Sequence, residues 1–283
     1  MNCLHLRRWS IIGLLIAASA TNHMQAAEFR QDIEYASVEG ESLKLDVSIP
    51  DGSGPFPVAI LVHGGGWGGG DKTVVHVPPT EPFTEANFVW FSIDYRLAPK
   101  FRWPDCIDDV RTAIGWVKEH AREFKGDPNR IVLVGYSAGG HLASYAVATA
   151  DDITSVQGLV VFAGPTDLVA DCERRGEVSP ALQALFDHGP ELDAPIRKKL
   201  ADASPLNRLT DRMPPTLLIH GTKDASVPYS QSVVFQERMQ KLKVPCELIM
   251  IPDGEHRLRD WKRLNPEYPR MTIDWLQEHV GTH

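Results

Sequence analysis

The sequence predicts an α/β protein built on one mostly parallel, doubly wound sheet with helices on both faces. Short apolar runs alternate with segments of helical period along nearly the whole 283-residue chain. Four of these runs, 58–62, 88–93, 131–134 and 159–162, are almost continuously apolar, which suits parallel strands buried on both faces. No linker-like stretch divides the chain, so one folded domain over 28–283 is expected.

The first 27 residues are expected to stand outside that domain. Arg7 and Arg8 precede a short apolar run from Trp9 to Ala18, and small residues follow, with cleavage expected after Ala20 or Ala27. A basic start, an apolar core too short for a comfortable membrane span and a small-residue tail describe a signal peptide. An exported protein without a stable membrane anchor is therefore expected. Residues 33–38 and 43–49 then alternate apolar and polar side chains, as half-exposed strands do, and should form an antiparallel hairpin at one sheet edge. Two further strands are expected at 216–219 and 247–251, with helices over 105–121, 138–150, 229–242 and 270–280. Segment 165–215 breaks the rhythm, because Pro180, Pro190, Pro195 and Pro205 interrupt its helical patterns. An insertion of that length above the strand ends is expected to be a small cap or lid.

Charge and cysteine content narrow the function classes. The formal charge is −8 and no Lys/Arg-rich run is present, which argues against a nucleic-acid partner. Beyond the leader, Cys106, Cys172 and Cys246 remain, with no C-x-x-C spacing, so neither a redox motif nor a zinc knuckle is suggested. One disulfide plus a free thiol and three buried thiols both stay open.

The most informative stretch is Gly-Tyr-Ser-Ala-Gly at 135–139. The bare G-x-S-x-G pattern is expected by chance in roughly one chain in ten of this length. Here it follows an apolar strand and precedes a small-residue helix, the context of a nucleophile elbow with Ser137 at its apex. A serine hydroxyl is a weak nucleophile and needs a base oriented by a third group. Downstream, segment 217–224 is a strand running into a loop that ends in Asp224, and segment 249–256 a strand running into a loop that ends in His256. Both candidates follow carboxyl ends of strands, where such sheets bind ligands. Ser137, Asp224 and His256 therefore have the types, order and placement of a catalytic triad. His220 is expected to brace the loop of Asp224, His141 to pack in the core, and Asp253 and Glu255 to be solvated loop charges.

A second signal is His-Gly-Gly-Gly-Trp at 63–67, directly after strand 58–62. Acyl transfer develops an oxyanion, and backbone N–H groups aimed at it are the main electrostatic device. The N–H groups of Gly65, Gly66 and Ala138 are expected to form that hole. His63 and Trp67 are expected to brace the loop, and Trp67 and Tyr136 to border the substrate. The same glycines satisfy the G-x-G-x-x-G of a dinucleotide fold, with Asp94 placed as a ribose ligand. That reading requires a helix beginning at the glycines, and Pro78, Pro79 and Pro82 interrupt the stretch. A P-loop fails because Asp71 follows Gly70 where a lysine is needed.

These motifs, with Asp-Tyr-Arg-Leu-Ala-Pro at 94–99 and His-Gly-Thr-Lys-Asp at 220–224, resemble the α/β-hydrolase-fold carboxylesterases. The resemblance spans roughly 33–280 and is greatest to the feruloyl and acetyl-xylan esterase-like branch, near the hormone-sensitive-lipase-like group. It implies the α/β-hydrolase fold and a serine esterase acting on small or oligosaccharide esters, with no cofactor or metal. It also implies that Asp94 and Arg96 tie loops beneath the site through a charge-assisted pair. His256 is followed by Arg257-Leu258-Arg259, where such enzymes often carry small or aromatic residues, so the acyl pocket departs from the family pattern. A prolyl-oligopeptidase-type peptidase would usually add a propeller, and an arylformamidase would not be expected to be exported. A non-catalytic binding protein on the same scaffold would typically lose the serine or the histidine, and this chain keeps both.

Overall fold

The alternating N-terminal runs pair as the antiparallel strands β1 (Glu28–Val38) and β2 (Glu41–Ile49). This is a computed structural model, and it describes residues 28–73 and 78–281. The expected leader, 1–27, lies outside the described residues. In chain order there follow β3 (Phe56–Val62), α1 (Glu81–Glu85), β4 (Val89–Ile93), α2 (Asp105–His120), β5 (Gly126–Tyr136), α3 (Ala138–Ala148) and β6 (Gly158–Phe162). Next come three short helices, α4 (Leu168–Arg175), α5 (Pro180–Phe186) and α6 (Ala194–Ala203). The chain ends with β7 (Thr216–Gly221), α7 (Ser230–Lys241), β8 (Cys246–Ile251), α8 (Trp261–Leu264) and α9 (Tyr268–His279).

The strands form one sheet in the order β1-β2-β4-β3-β5-β6-β7-β8. The hairpin joins β4 antiparallel, and every pairing from β4 onward is parallel. Strand β3 has β4 on one side and β5 on the other, so the chain reverses its winding direction there. Ligands of open α/β sheets bind outside the carboxyl ends of strands at such a switch point. Val62, the last residue of β3, lies in register with Gly135 near the end of β5.

Side-chain alternation on the inner strands sorts the core into two layers. Val58, Ile60 and Val62 join a cluster with residues of α2, α3 and α7, whereas Ala59 and Leu61 face a second cluster with Phe83, Trp261, Trp275 and Leu276. Both faces of β3 are covered, which is why its sequence reads as one apolar run. Strand β8 is the edge opposite β1, and its Met250 is half exposed.

Two expectations change in physical detail. In segment 165–215, Pro180, Pro195 and Pro205 open helical turns instead of interrupting them, and Pro190 lies in the loop between α5 and α6. Pro180 and Pro195 sit in the first turns of α5 and α6, where a missing N–H costs nothing, and Ser179 and Asp193 cap those turns through Leu182 N and Ile196 N. Asp94 and Arg96 do not pair with each other. The Arg96 guanidinium and its own backbone N–H bind both carboxylate oxygens of Asp109 on α2 at 2.8–3.1 Å, while Asp94 accepts from Lys72 N at 2.8 Å. Residues two apart share a face while a strand lasts, but β4 ends at Ile93. Beyond it the irregular backbone sends Arg96 to helix α2 and Asp94 to Lys72 in the loop after the glycines. Cys106, Cys172 and Cys246 are all free thiols. Burial pushes the Cys106 and Cys246 thiols up to about 12.

Candidate active site

Ser137 stands between the last residue of β5 and the first of α3, with φ 55° and ψ −120°. Serine rarely adopts a positive φ, and it is held there from both sides. Its N–H donates to Phe162 O at 2.9 Å on β6, and its carbonyl accepts from His141 N at 3.1 Å. A β-carbon on Gly139 would collide with the carbonyls of Val62 and His63. Glycine there lets α3 close onto the end of β3, and this brings the elbow against the glycine loop.

The loop after β8 presents His256 to the serine. Ser137 Oγ lies 2.9 Å from His256 Nε2, and His256 Nδ1 lies 2.7 Å from Asp224 Oδ2. A carboxylate can only accept, so Nδ1 carries the proton and Nε2 is left to accept from the serine hydroxyl. Asp224 is held by a turn after β7, where its Oδ1 accepts from the N–H groups of Ser226 and Val227 at 2.9 and 2.8 Å. Burial alone would raise this carboxyl. Hydrogen bonds from His220 and His256, the charge of His256 and the Val227 N–H outweigh burial and bring it to about 2. His220 braces the same turn: Nε2 donates to Val227 O at 2.9 Å and lies 3.3 Å from Asp224 Oδ2, while Nδ1 is 2.7 Å from Ser232 Oγ.

The glycine loop crosses above the elbow. Gly65, Gly66 and Trp67 have successive φ values of 118°, 60° and 58°, a left-handed run that turns backbone toward Ser137. Gly65, Gly66 and Ala138 line the same cavity as Ser137 and His256, a space of about 1020 Å³. Among the described residues no helix starts at the glycines, and the next helical turn is α1, at Glu81. His63 stacks on Tyr95 with ring centroids 4.2 Å apart, and its Nδ1 lies 2.7 Å from Gly64 O. Trp67 and Tyr136 both border the cavity, and both also brace. Trp67 Nε1 donates to His141 Nδ1 at 3.2 Å, and Tyr136 OH donates to His256 O at 3.0 Å.

Other candidates stay outside the line from Asp224 through His256 to Ser137. Asp253 pairs with Lys223 at the surface, and Glu255 is exposed. Segment 165–215 forms one wall of the cavity through Leu168, Ser179, Ala181 and Leu182. It is joined to the Asp224 turn by Arg175, which donates to Ser226 O at 2.6 Å, and to α7 by Gln231, whose Oε1 accepts from Thr166 N and Asp167 N. Arg257, Leu258, Arg259 and Lys262 also line the cavity, so the cationic run after His256 borders it. The sequence reading missed Arg175 and Gln231, because their partners are mostly backbone groups that leave no mark in a motif.

A mostly parallel sheet with a serine elbow at its switch point, a histidine and an acid on later strand loops, and a glycine loop beside them defines an α/β-hydrolase. Residues 45–239 match the BD-FAE family, and the chain belongs to it. Among characterised sequences, esterase LipC of Mycobacterium tuberculosis is 36% identical over 245 residues, covering 80% of this chain and 59% of LipC. The probable carboxylic ester hydrolase LipM of the same organism is 33% identical over 240 residues, covering 80% of this chain and 55% of LipM. The chain thus spans under two thirds of the length of these relatives. A truncated carbohydrate esterase from gut microbiota superposes with a TM-score of 0.75 at 23% identity, covering 91% of this chain and 98% of that one. The propionate-bound esterase Est2 of Thermogutta terrifontis gives 0.71 at 26% identity, covering 90% and 95%.

Proposed function

We propose that this chain is a serine carboxylic-ester hydrolase that works through an acyl-enzyme. The observation that carries the reading is the line from Asp224 through His256 to Ser137, with contacts of 2.7 and 2.9 Å, ending in a cavity bordered by the glycine loop. Ser137 Oγ attacks the ester carbonyl as its proton passes to His256 Nε2, and Asp224 stabilises the imidazolium without taking the proton. The negative charge that develops on the carbonyl oxygen is met by the N–H groups of Gly65, Gly66 and Ala138. Collapse breaks the bond to the alcohol oxygen, which leaves with the proton from His256. Water then gives its proton to His256, attacks the acyl-enzyme and releases the acid and the free serine.

The substrates proposed are acetyl or feruloyl esters of plant polysaccharide fragments, or related small esters. The family match, the esterase relatives and a cavity wide enough for a sugar-bearing ester support this class. The basic, apolar and small-residue pattern of the leader supports export, and segment 165–215 serves as a cap over the acyl side.

The test measures acetate and ferulate release from acetylated and feruloylated xylan oligosaccharides, beside p-nitrophenyl acetate, for wild type and Ser137→Ala. Turnover that disappears in the variant is expected. Ser137→Ala at the wild-type rate would overturn the mechanism, and cleavage of the activated ester alone would overturn the polysaccharide assignment. A fluorophosphonate probe that failed to label Ser137 would favour a binding protein on this scaffold.

A further inference from the structure

We infer that His141 is a positioning residue that fixes the oxyanion loop and ties its geometry to the seating of the cap, an inference that rests on the esterase reading above. His141 lies on the first turn of α3, four residues after Ser137, and is fully buried. Its two ring nitrogens bond to two different segments. Nδ1 accepts from Trp67 Nε1 at 3.2 Å, and Nε2 lies 2.9 Å from the carbonyl of Ala203. An indole N–H can only donate and a carbonyl can only accept. Both contacts are satisfied by one form alone, the neutral imidazole with its proton on Nε2. The imidazolium would have no acceptor left for Trp67. Burial agrees with this, lowering His141 from its ordinary 6.5 to about 4.

Each end of this clamp holds something the backbone does not hold by itself. Trp67 directly follows Gly65 and Gly66 and has φ 58°, a left-handed conformation that a bulky residue adopts only when its surroundings impose it. The imposing contacts are the His141 bond, an edge-on packing of the two rings at 5.3 Å and the Ala98 N–H bond to Trp67 O at 2.9 Å. At the other end, Ala203 is the last residue of α6, and its carbonyl is one of those a helix leaves without an internal partner. His141 supplies that partner from the nucleophile helix. One side chain thus registers the glycine loop, the elbow and the cap against each other.

Two isosteric replacements separate the two bonds. The amide oxygen of Asn overlaps the place of Nδ1, so His141→Asn keeps an acceptor for Trp67 and loses the donor to Ala203. The amide nitrogen of Gln overlaps Nε2, so His141→Gln keeps the donor and loses the acceptor. With p-nitrophenyl acetate, His141→Gln should lose on the order of tenfold or more in kcat with KM within about twofold, as expected when oxyanion donors are displaced. His141→Asn should keep kcat within about threefold. Trp67→Phe, which leaves His141 in place, should match the Gln variant, and the double variant should be no worse than either. The rate of labelling by a fluorophosphonate should follow the same order. Equal losses in the Asn and Gln variants, in step with their loss of Tm, would overturn the inference, as would full kcat in Trp67→Phe. A wild type that neither turns over ester nor takes the label would instead overturn the esterase reading itself.

Discussion

Tyr136 and His256 brace each other: the phenol donates to the His256 carbonyl at 3.0 Å, and the two rings stack with centroids 5.5 Å apart. The residue before Ser137 therefore holds the loop that carries His256, while also bordering the cavity. Burial first, and the charge of Asp224 second, push the phenol up to about 12, so it stays a donor across the working range. Tyr136→Phe keeps the stacked ring and removes one hydrogen bond. It should cost about 1 kcal/mol in stability and a severalfold drop in kcat, with no change in the alkaline limb of the pH–rate profile. Thermal unfolding and ester hydrolysis against pH check this. A shifted alkaline limb would mean that the phenol takes part in proton transfer.

The buried pair of Arg96 and Asp109 should behave as a structural element remote from the chemistry. Asp109 is 1% exposed and Arg96 7%, with the carboxylate receiving three guanidinium contacts at 2.9–3.1 Å and the Arg96 backbone N–H at 2.8 Å. Removing one partner strands a buried charge, and Asp109→Ala should lose about 3–5 kcal/mol. Replacing both by apolar residues of similar volume should recover most of that loss. Denaturant unfolding measures both. The labelling rate per folded molecule should stay at the wild-type value, and a fall there would place the pair in the reacting machinery.

Gly65 and Gly66 should respond differently to alanine, although both are assigned to the oxyanion hole. A β-carbon at Gly65 would collide with the carbonyl of Gly69, and φ 118° is closed to alanine. Gly65→Ala must therefore distort the loop, and both Tm and kcat should fall steeply. At Gly66 the nearest atom to an added β-carbon is the Ala181 methyl at 3.4 Å, and φ 60° lies in the left-handed region alanine can enter at about 1 kcal/mol. Gly66→Ala should fold, and its kcat should report the loop at near-normal stability, with a loss of at most about tenfold. Full activity in Gly65→Ala would sink the oxyanion assignment.

The contrast between these residues shows what the sequence could and could not disclose. Ser137, Asp224 and His256 are readable because each follows the carboxyl end of a strand, and strand ends are where a parallel sheet gathers its loops. The strands themselves are readable because inner strands are covered on both faces. The Arg96 partner was misassigned because proximity in sequence favours Asp94, whereas helix α2 brings Asp109 there across the layer. The double bonding of His141 left no trace either, since Trp67 is 74 residues away and the other partner is a backbone carbonyl. The prolines of segment 165–215 read as interruptions because their value depends on helix position, at the first turn or inside.

His141 should also make folding stability depend on pH, in a window above that of Asp224. In the folded chain it titrates at about 4, and in the unfolded chain at its ordinary 6.5. Between those values the unfolded state holds a proton that the folded state lacks, so stability rises with pH there. The contribution is complete above 6.5, declines as pH falls toward 4, and amounts to about 3 kcal/mol over the whole interval. Asp224, lowered from 3.8 to about 2, has the same sign but acts lower, its contribution being lost as pH falls through that range. Urea unfolding of wild type and His141→Asn from pH 6.5 down to pH 4 separates the two groups. The variant should be the less stable protein at pH 6.5, and its stability should fall less steeply on acidification, by up to one proton. Parallel slopes would mean that His141 is charged inside the folded chain, which the Trp67 bond does not permit.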